Sequence, residues 1–95
     1  MKIKKIKLEN GLVIGSIIQL NNAPLIVLQA KKGYVMCGYL NMNTANKIGD
    51  IAGKITGVKT FEDALNSTII ETSENAKKIG LQEGIKTKEF LNSLM

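Results

Sequence analysis

The chain has no histidine, no tryptophan and one cysteine, Cys37, among its 95 residues. A lone cysteine cannot close a disulfide within the chain, and without histidine neither a Cys/His zinc site nor imidazole chemistry is possible. Carboxylates lie close together at Glu62 and Asp63, and again at Glu71 and Glu74. Adjacent residues of a helix diverge by about 100°, and a glutamate in a first turn is favoured by the helix dipole alone. We therefore predict no metal site and no cofactor.

Long hydrophobic runs are also missing. No apolar stretch approaches the roughly 18 residues of a membrane span, and the N-terminus has no apolar segment before a small-residue cleavage site. We expect no membrane association and a cytoplasmic location. The length fits one domain over residues 1–95. Because only two tyrosines and two phenylalanines are present, the core must consist mainly of isoleucine, leucine and valine, with methionine as filler.

Positive charge is concentrated at the start of the chain. Part of the net charge of +5 comes from Lys2, Lys4, Lys5 and Lys7. Such lysines can neutralise nucleic-acid phosphates, but single-strand binding usually adds aromatic stacking platforms, and no aromatic residue precedes Tyr34. Lysines on an edge strand also protect a sheet from unwanted pairing, and we favour that role over nucleic-acid binding.

Turn residues divide the first forty residues into four segments. Asn10-Gly11 is a strong hairpin signal, Asn21-Asn22 before Pro24 marks a second turn, and Lys31-Lys32-Gly33 marks a third. The predicted strands lie near residues 2–9, 12–20, 25–30 and 34–40. Strands joined by such short turns pair as an antiparallel meander.

The second half of the chain alternates short helices with one or two further strands. The expected strands lie at residues 51–56 and near 68–72. Serine, threonine and asparagine are the usual N-caps, and glycine commonly ends a helix. The predicted caps are Asn41 or Asn43, Thr60, Ser73 and Thr87, with Gly49 and Gly80 ending the first and third helices. The predicted class is α+β, in a single two-layer domain.

Both faces of the predicted sheet are apolar. Side chains alternate along a strand, so Val13 and Ile17 share one face of the second strand, while its other face is also aliphatic. In the third strand, Ile26 and Leu28 lie opposite Leu25 and Val27 in the same way. The helices are barely sufficient to cover one face, and a bare second face would exceed the few hundred Å² usual for monomers.

We therefore predict a homo-oligomer, with residues 1–40 as the oligomerisation region. The interface candidates are Val13, Ile17, Ile26 and Leu28. Alternatively, the sheet curls on itself or the helices divide between its faces.

Two segments resemble the signature of a known family. They are Gly33-Tyr34-Val35-Met36-Cys37-Gly38-Tyr39-Leu40 and Gly57-Val58-Lys59-Thr60-Phe61-Glu62-Asp63. The pattern is similar to that of the YunC-like family of bacteria and archaea, domain of unknown function 1805. The resemblance implies a fold and a tetramer formed through the N-terminal β region, but no reaction. The residues alone predict an oligomer, whereas the subunit number of four comes from the resemblance.

Cys37 is the candidate catalytic residue. A reactive thiol needs a neighbouring base, cation or helix N-terminus, and without histidine only Lys59, another lysine or a helix end can supply it. A free cysteine is also among the most buried residue types and behaves as a small hydrophobic side chain. We favour the structural role.

The segment around Lys59 is the second candidate site. It superficially resembles a phosphate-binding loop, but the glycine spacing and the lysine position are wrong for that motif. Gly57, Lys59 and Thr60 can nevertheless bind a small anion at a helix start. In the alternative, Thr60 caps its own helix, Asp63 completes a weak capping box and Lys59 is solvated.

Two functions follow from these residues. The favoured one is a homo-oligomeric module that binds a small anionic ligand or acts as a scaffold, with itself as partner. The alternative is a small enzyme in which an intersubunit cleft brings together Cys37, Lys59 and either Tyr34 or Tyr39, since a small chain gains a deep site most readily at a subunit boundary.

Overall fold

The computed structural model describes residues 1–95 as a six-stranded sheet with four short helices. The sheet order is β1-β2-β3-β4-β5-β6, the order of the sequence. The strands are β1 (Lys2–Lys7), β2 (Leu12–Gln19), β3 (Pro24–Gln29), β4 (Tyr34–Met36), β5 (Ala52–Lys54) and β6 (Glu71–Thr72). The helices are α1 (Met42–Ile48), α2 (Phe61–Leu65), α3 (Glu74–Lys78) and α4 (Thr87–Asn92). The predicted α+β class is confirmed, and no helix is both long and apolar enough to cross a membrane.

The first four strands form the predicted antiparallel meander, and the sheet then changes direction. β4 and β5 pair in parallel, with α1 in the connection between them. β4 is shorter than the predicted strand at residues 34–40 because residues 37–40 form a turn, in which the Leu40 N–H donates to the Cys37 carbonyl at 3.2 Å. Gly38 and Tyr39 therefore leave the sheet.

The main core lies on one face of the sheet, here called the inner face, which carries Val13, Ile17, Ile26 and Leu28. α2, α3 and α4 cover this face with Ala64, Ala76, Phe90 and Leu91. The four strand residues Val13, Ile17, Ile26 and Leu28 are 0–7% exposed within the single chain. This placement corrects their assignment as interface candidates, because a side chain packed against its own helices offers no surface to a second subunit.

The opposite face, here called the outer face, is uncovered over β1 and β2 and partly exposed on β3. It carries Ile3, Leu12, Ile14 and Ile18, which are 60%, 56%, 36% and 39% exposed. Only the β4–β5 end of this face is covered, by a small cluster of Met36 and Ala52 with Met42 and Ala45 of α1. The helices thus divide between the two faces, but unequally, so a broad aliphatic surface remains open.

Local signals place α1 and α3. The Asn41 side chain accepts the N–H groups of Asn43 and Thr44, and thereby caps α1. Gly49 ends α1 with a left-handed φ of +80°. The Ser73 hydroxyl accepts the Ala76 N–H at 3.3 Å and caps α3.

The expected cap of the last helix is wrong. Thr87 is the first residue of α4, and Lys86 occupies the N-cap without a side-chain hydrogen bond. The buried Thr87 hydroxyl instead donates to the Ser67 carbonyl at 3.1 Å. A tertiary hydrogen bond has therefore replaced the local one, and it ties α4 to the segment before β6.

Candidate functional site

A cleft of about 310 Å³ lies at one end of the sheet, where three connecting segments meet. One segment joins β2 to β3, one follows β4 and one follows β5. Because β4 and β5 are parallel, their carboxyl ends reach the same edge, which is where α/β sheets commonly place ligand sites. Nine residues line the cleft: Ala23, Pro24, Cys37, Gly38, Tyr39, Thr56, Gly57, Val58 and Lys59.

Four of the candidates chosen from the sequence share this cleft, namely Cys37, Tyr39, Gly57 and Lys59. They come from two loops that are about twenty residues apart in sequence. Ala23 and Pro24 complete the cleft and were not predicted. Their turn was recognisable in the sequence, but its position beside the other two loops depends on strand order.

Cys37 forms part of the cleft wall and is tied to β3. Its Sγ atom accepts the Ile26 N–H at 3.4 Å, and its own N–H donates to the Ile26 carbonyl at 3.1 Å. The residue is 5% exposed. The thiol is thus a buried, hydrogen-bonded side chain at the edge of the cleft.

The remaining lining is rich in hydrogen-bond donors and contains no carboxylate. The Lys59 ammonium is exposed and forms no ion pair, since the salt bridges of the chain are Lys54–Glu71 and Lys77–Glu83. The backbone N–H groups of Gly38, Tyr39, Gly57 and Val58 donate to no backbone carbonyl. Positive charge and free donors therefore dominate the polar part of the cleft.

Thr60 lies outside the cleft and caps α2. Its hydroxyl accepts the Asp63 N–H at 3.0 Å, and the Asp63 carboxylate accepts the Lys59 N–H at 3.2 Å. This arrangement matches the alternative in which Thr60 caps its own helix. It differs from a capping box in one respect, because the Asp63 carboxylate accepts the N–H of Lys59, the residue before the N-cap, and not that of Thr60. The hydroxyl is already engaged, and the helix is only five residues long.

Tyr34 also lies outside the cleft, against α1. Its hydroxyl donates to Asp50 Oδ2 at 2.7 Å. Burial, the hydrogen bond and the negative charge of Asp50 together raise the pKa of Tyr34 from 10 to about 12, with burial the largest cause. The phenol is therefore a structural donor that fixes the start of β5.

Replacing Tyr34 with phenylalanine should remove the part of the loss in free energy of unfolding at alkaline pH that comes from ionisation of this phenol. Below pH 10 both folded and unfolded chains keep the phenol proton, so its contribution to stability is complete there. Between pH 10 and about 12 the unfolded chain loses the proton first, so the free energy of unfolding falls as the pH rises. Since the side chain is partly exposed, we expect a contribution of about 1 kcal/mol.

Urea unfolding at pH 8 and pH 11 measures this contribution. Tyr34→Phe should narrow the difference between the two pH values, whereas Tyr39→Phe should not, because the Tyr39 hydroxyl forms no hydrogen bond within the chain. An equal pH dependence in wild type and Tyr34→Phe would contradict the assignment.

Known proteins match this chain both in sequence and in fold. The family described as "Domain of unknown function (DUF1805)" matches residues 36–94, more than half of the chain. The chain belongs to this DUF1805 family. The family resemblance seen in the sequence is thereby confirmed.

Two relatives of this DUF1805 protein are similar in sequence or structure. "Uncharacterized protein YunC" of Bacillus subtilis (strain 168) is 30% identical over 67 residues, which is 66% of this chain and 66% of that protein. The chain thus spans about two thirds of the length of that relative. The crystal structure of a protein of unknown function, TA1206 from Thermoplasma acidophilum, is 39% identical with a TM-score of 0.94, covering 99% of this chain and 92% of that one.

The DUF1805 match includes two of the three segments that form the cleft. It begins at Met36 and therefore spans the Cys37 turn and the Lys59 segment, whereas Ala23 and Pro24 precede it. Neither relative carries a description of a ligand or a reaction.

Proposed function

We propose that this DUF1805 protein is a cytoplasmic homo-oligomeric module, a tetramer, that binds a small ligand in the cleft. The uncovered outer face of β1 and β2 carries the oligomeric part of the proposal. It presents four aliphatic side chains that are each more than one third exposed, on the adjacent strands β1 and β2. Burial of such surface contributes roughly 25 cal/mol per Å², and contiguous exposed apolar patches often mark interaction sites.

A second copy of the same chain is the partner that best fits this face. Symmetric homo-oligomers with an isologous interface are the commonest assemblies of soluble proteins. The outer face is self-complementary in chemistry, because its centre is aliphatic and its charged residues, Lys5 and Lys7, lie on the β1 edge. The subunit number of four is supported by the family resemblance.

The ligand part of the proposal rests on the cleft. Its volume of about 310 Å³ is at the lower end of the range for small-molecule sites, which are concave and mostly apolar with a few polar groups. Lys59 and unpaired backbone donors supply those polar groups, while Pro24 and Val58 supply apolar wall. A cleft of this volume can hold a small molecule.

Native mass spectrometry of protein purified without added ligand tests both parts. We expect a tetramer that retains a small molecule of defined mass. A monomer at low micromolar concentration, checked by light scattering, would overturn the oligomer. A tetramer of which no fraction retains any molecule, even after incubation with a cell extract of small metabolites, would overturn the ligand part and leave a scaffold.

The second candidate function is a small thiol enzyme, favoured by one observation: Cys37, Tyr39 and Lys59 line the same cleft in a single chain. The binding module predicts that Cys37 reacts with iodoacetamide at least tenfold more slowly than free cysteine, because the residue is 5% exposed and its Sγ accepts a backbone N–H. Cys37 is the only thiol, so mass spectrometry reports it directly. Alkylation faster than that of free cysteine would favour the enzyme and contradict a purely structural Cys37.

A further inference from the structure

We infer that the cleft takes a small organic monocarboxylate with a flat, apolar body. This inference rests on the proposed ligand-binding function and names the chemical class of its ligand. It is carried by the charge, the hydrogen-bond donors and the apolar walls that the cleft brings together.

The charge of the lining selects one negative charge on the ligand. Lys59 is the one charged side chain among the nine lining residues, and its ammonium forms no ion pair with an aspartate or glutamate. Phosphate and pyrophosphate groups carry more charge and are normally held by several cationic groups or a continuous glycine-rich loop. A single ammonium matches a single carboxylate.

Backbone N–H groups in the cleft also favour a carboxylate as the ligand group. Gly38 and Tyr39 occupy the middle of the turn at residues 37–40, where the N–H groups are not used by the turn itself. Gly57 and Val58 have unused N–H groups on the facing loop. A carboxylate has about four lone-pair directions, so it can accept from Lys59 and from up to three of these donors at the same time.

The walls select the body of the ligand. Pro24, Val58 and Tyr39 supply apolar surface to the cleft, one from each of the three segments that form it. The Tyr39 side chain is half exposed, so part of its ring is available to stack on a flat group. Cys37 adds a small apolar contact, because its Sγ is already engaged by the Ile26 N–H. A compact planar acid fits both the walls and the volume.

Benzoate and benzamide form a matched pair of probes, since they share shape and differ in charge. We would titrate each into the ¹⁵N-labelled full-length protein and follow the amide signals of Gly38, Tyr39, Gly57 and Val58. Benzoate should shift these signals saturably and bind at least tenfold more tightly than benzamide. Lys59→Met should bring benzoate to the affinity of benzamide, while Lys88→Met, a control at an exposed lysine of α4, should leave the difference intact.

The outcomes separate this inference from the proposed function. Equal affinity for benzoate and benzamide, or an unchanged preference in Lys59→Met, would overturn the carboxylate assignment and leave a neutral-ligand cleft. If neither probe shifts these four amide signals at millimolar concentration, and neutral and cationic fragments do not shift them either, the ligand-binding function itself is overturned. Because Lys59 is exposed and unpaired, the Lys59→Met spectrum should otherwise match that of the wild type.

Discussion

Replacing both Ile14 and Ile18 with aspartate is expected to convert the assembled protein into folded monomers. Both side chains point outward from β2, with 36% and 39% of their surface exposed in the single chain. In the monomer the new carboxylates would remain in water. In the assembly they would be buried in an aliphatic interface, where Lys5 lies opposite position 14 but the strand register places no cation opposite position 18, so the two charges together cost several kcal/mol. Since each 1.4 kcal/mol is tenfold in affinity, the dissociation constant should rise by at least about three orders of magnitude.

Light scattering at low micromolar concentration, together with circular dichroism, measures this result. The double variant should have the mass of one chain and a folded spectrum. The matched control is Ile70→Asp with Ile79→Asp, because these isoleucines are 52% and 55% exposed but lie outside β1–β3. The control should remain assembled. A double Ile14/Ile18 variant that stays oligomeric would show that the subunits meet through another surface.

The alternation along β2 predicts two faces but does not say which one the helices cover. Val13 with Ile17 and Ile14 with Ile18 are equally apolar, so hydrophobicity alone cannot rank them. One signal was available. Gly15 lies between Val13 and Ile17 on the same face, and a Cβ there would lie 2.6 Å from the Phe61 ring. A glycine inside a strand often marks a close approach, which identifies the covered face.

The cleft was predictable in its parts but not as a whole. Cys37, Lys59 and their glycine neighbours stand out in the sequence, and the caps at Asn41 and Ser73 are local signals that the structure follows. Their convergence depends on the parallel pairing of β4 with β5, which spans a whole helix in the chain. No local pattern specifies such a contact. The same limit applies to Thr87, whose hydroxyl bonds to a residue 20 positions away.

Replacing Gly33 with alanine is expected to lower the free energy of unfolding by about 3 kcal/mol, at the upper end of overpacking costs. An added Cβ would overlap the Ile51 carbonyl oxygen and lie 3.0 Å from Leu94 Cδ1. The carbonyl cannot simply retreat, because it accepts the Tyr34 N–H at 3.1 Å where β4 meets the start of β5. The steric conflict therefore involves the main chain of two adjacent strands. Urea unfolding measures the loss.

Gly38→Ala is the matched control, since it changes the other glycine of the Gly-Tyr-Val-Met-Cys-Gly segment. Its Cβ would lie 3.6 Å from Thr56 Cγ2, which is ordinary contact, so we expect a stability change within about 0.5 kcal/mol. Equal losses in the two variants would show that the contact with Ile51 is not the reason for Gly33. The expected difference assigns a steric cause to Gly33, whose missing Cβ allows the chain to approach Ile51 where β4 and β5 join, and none to Gly38.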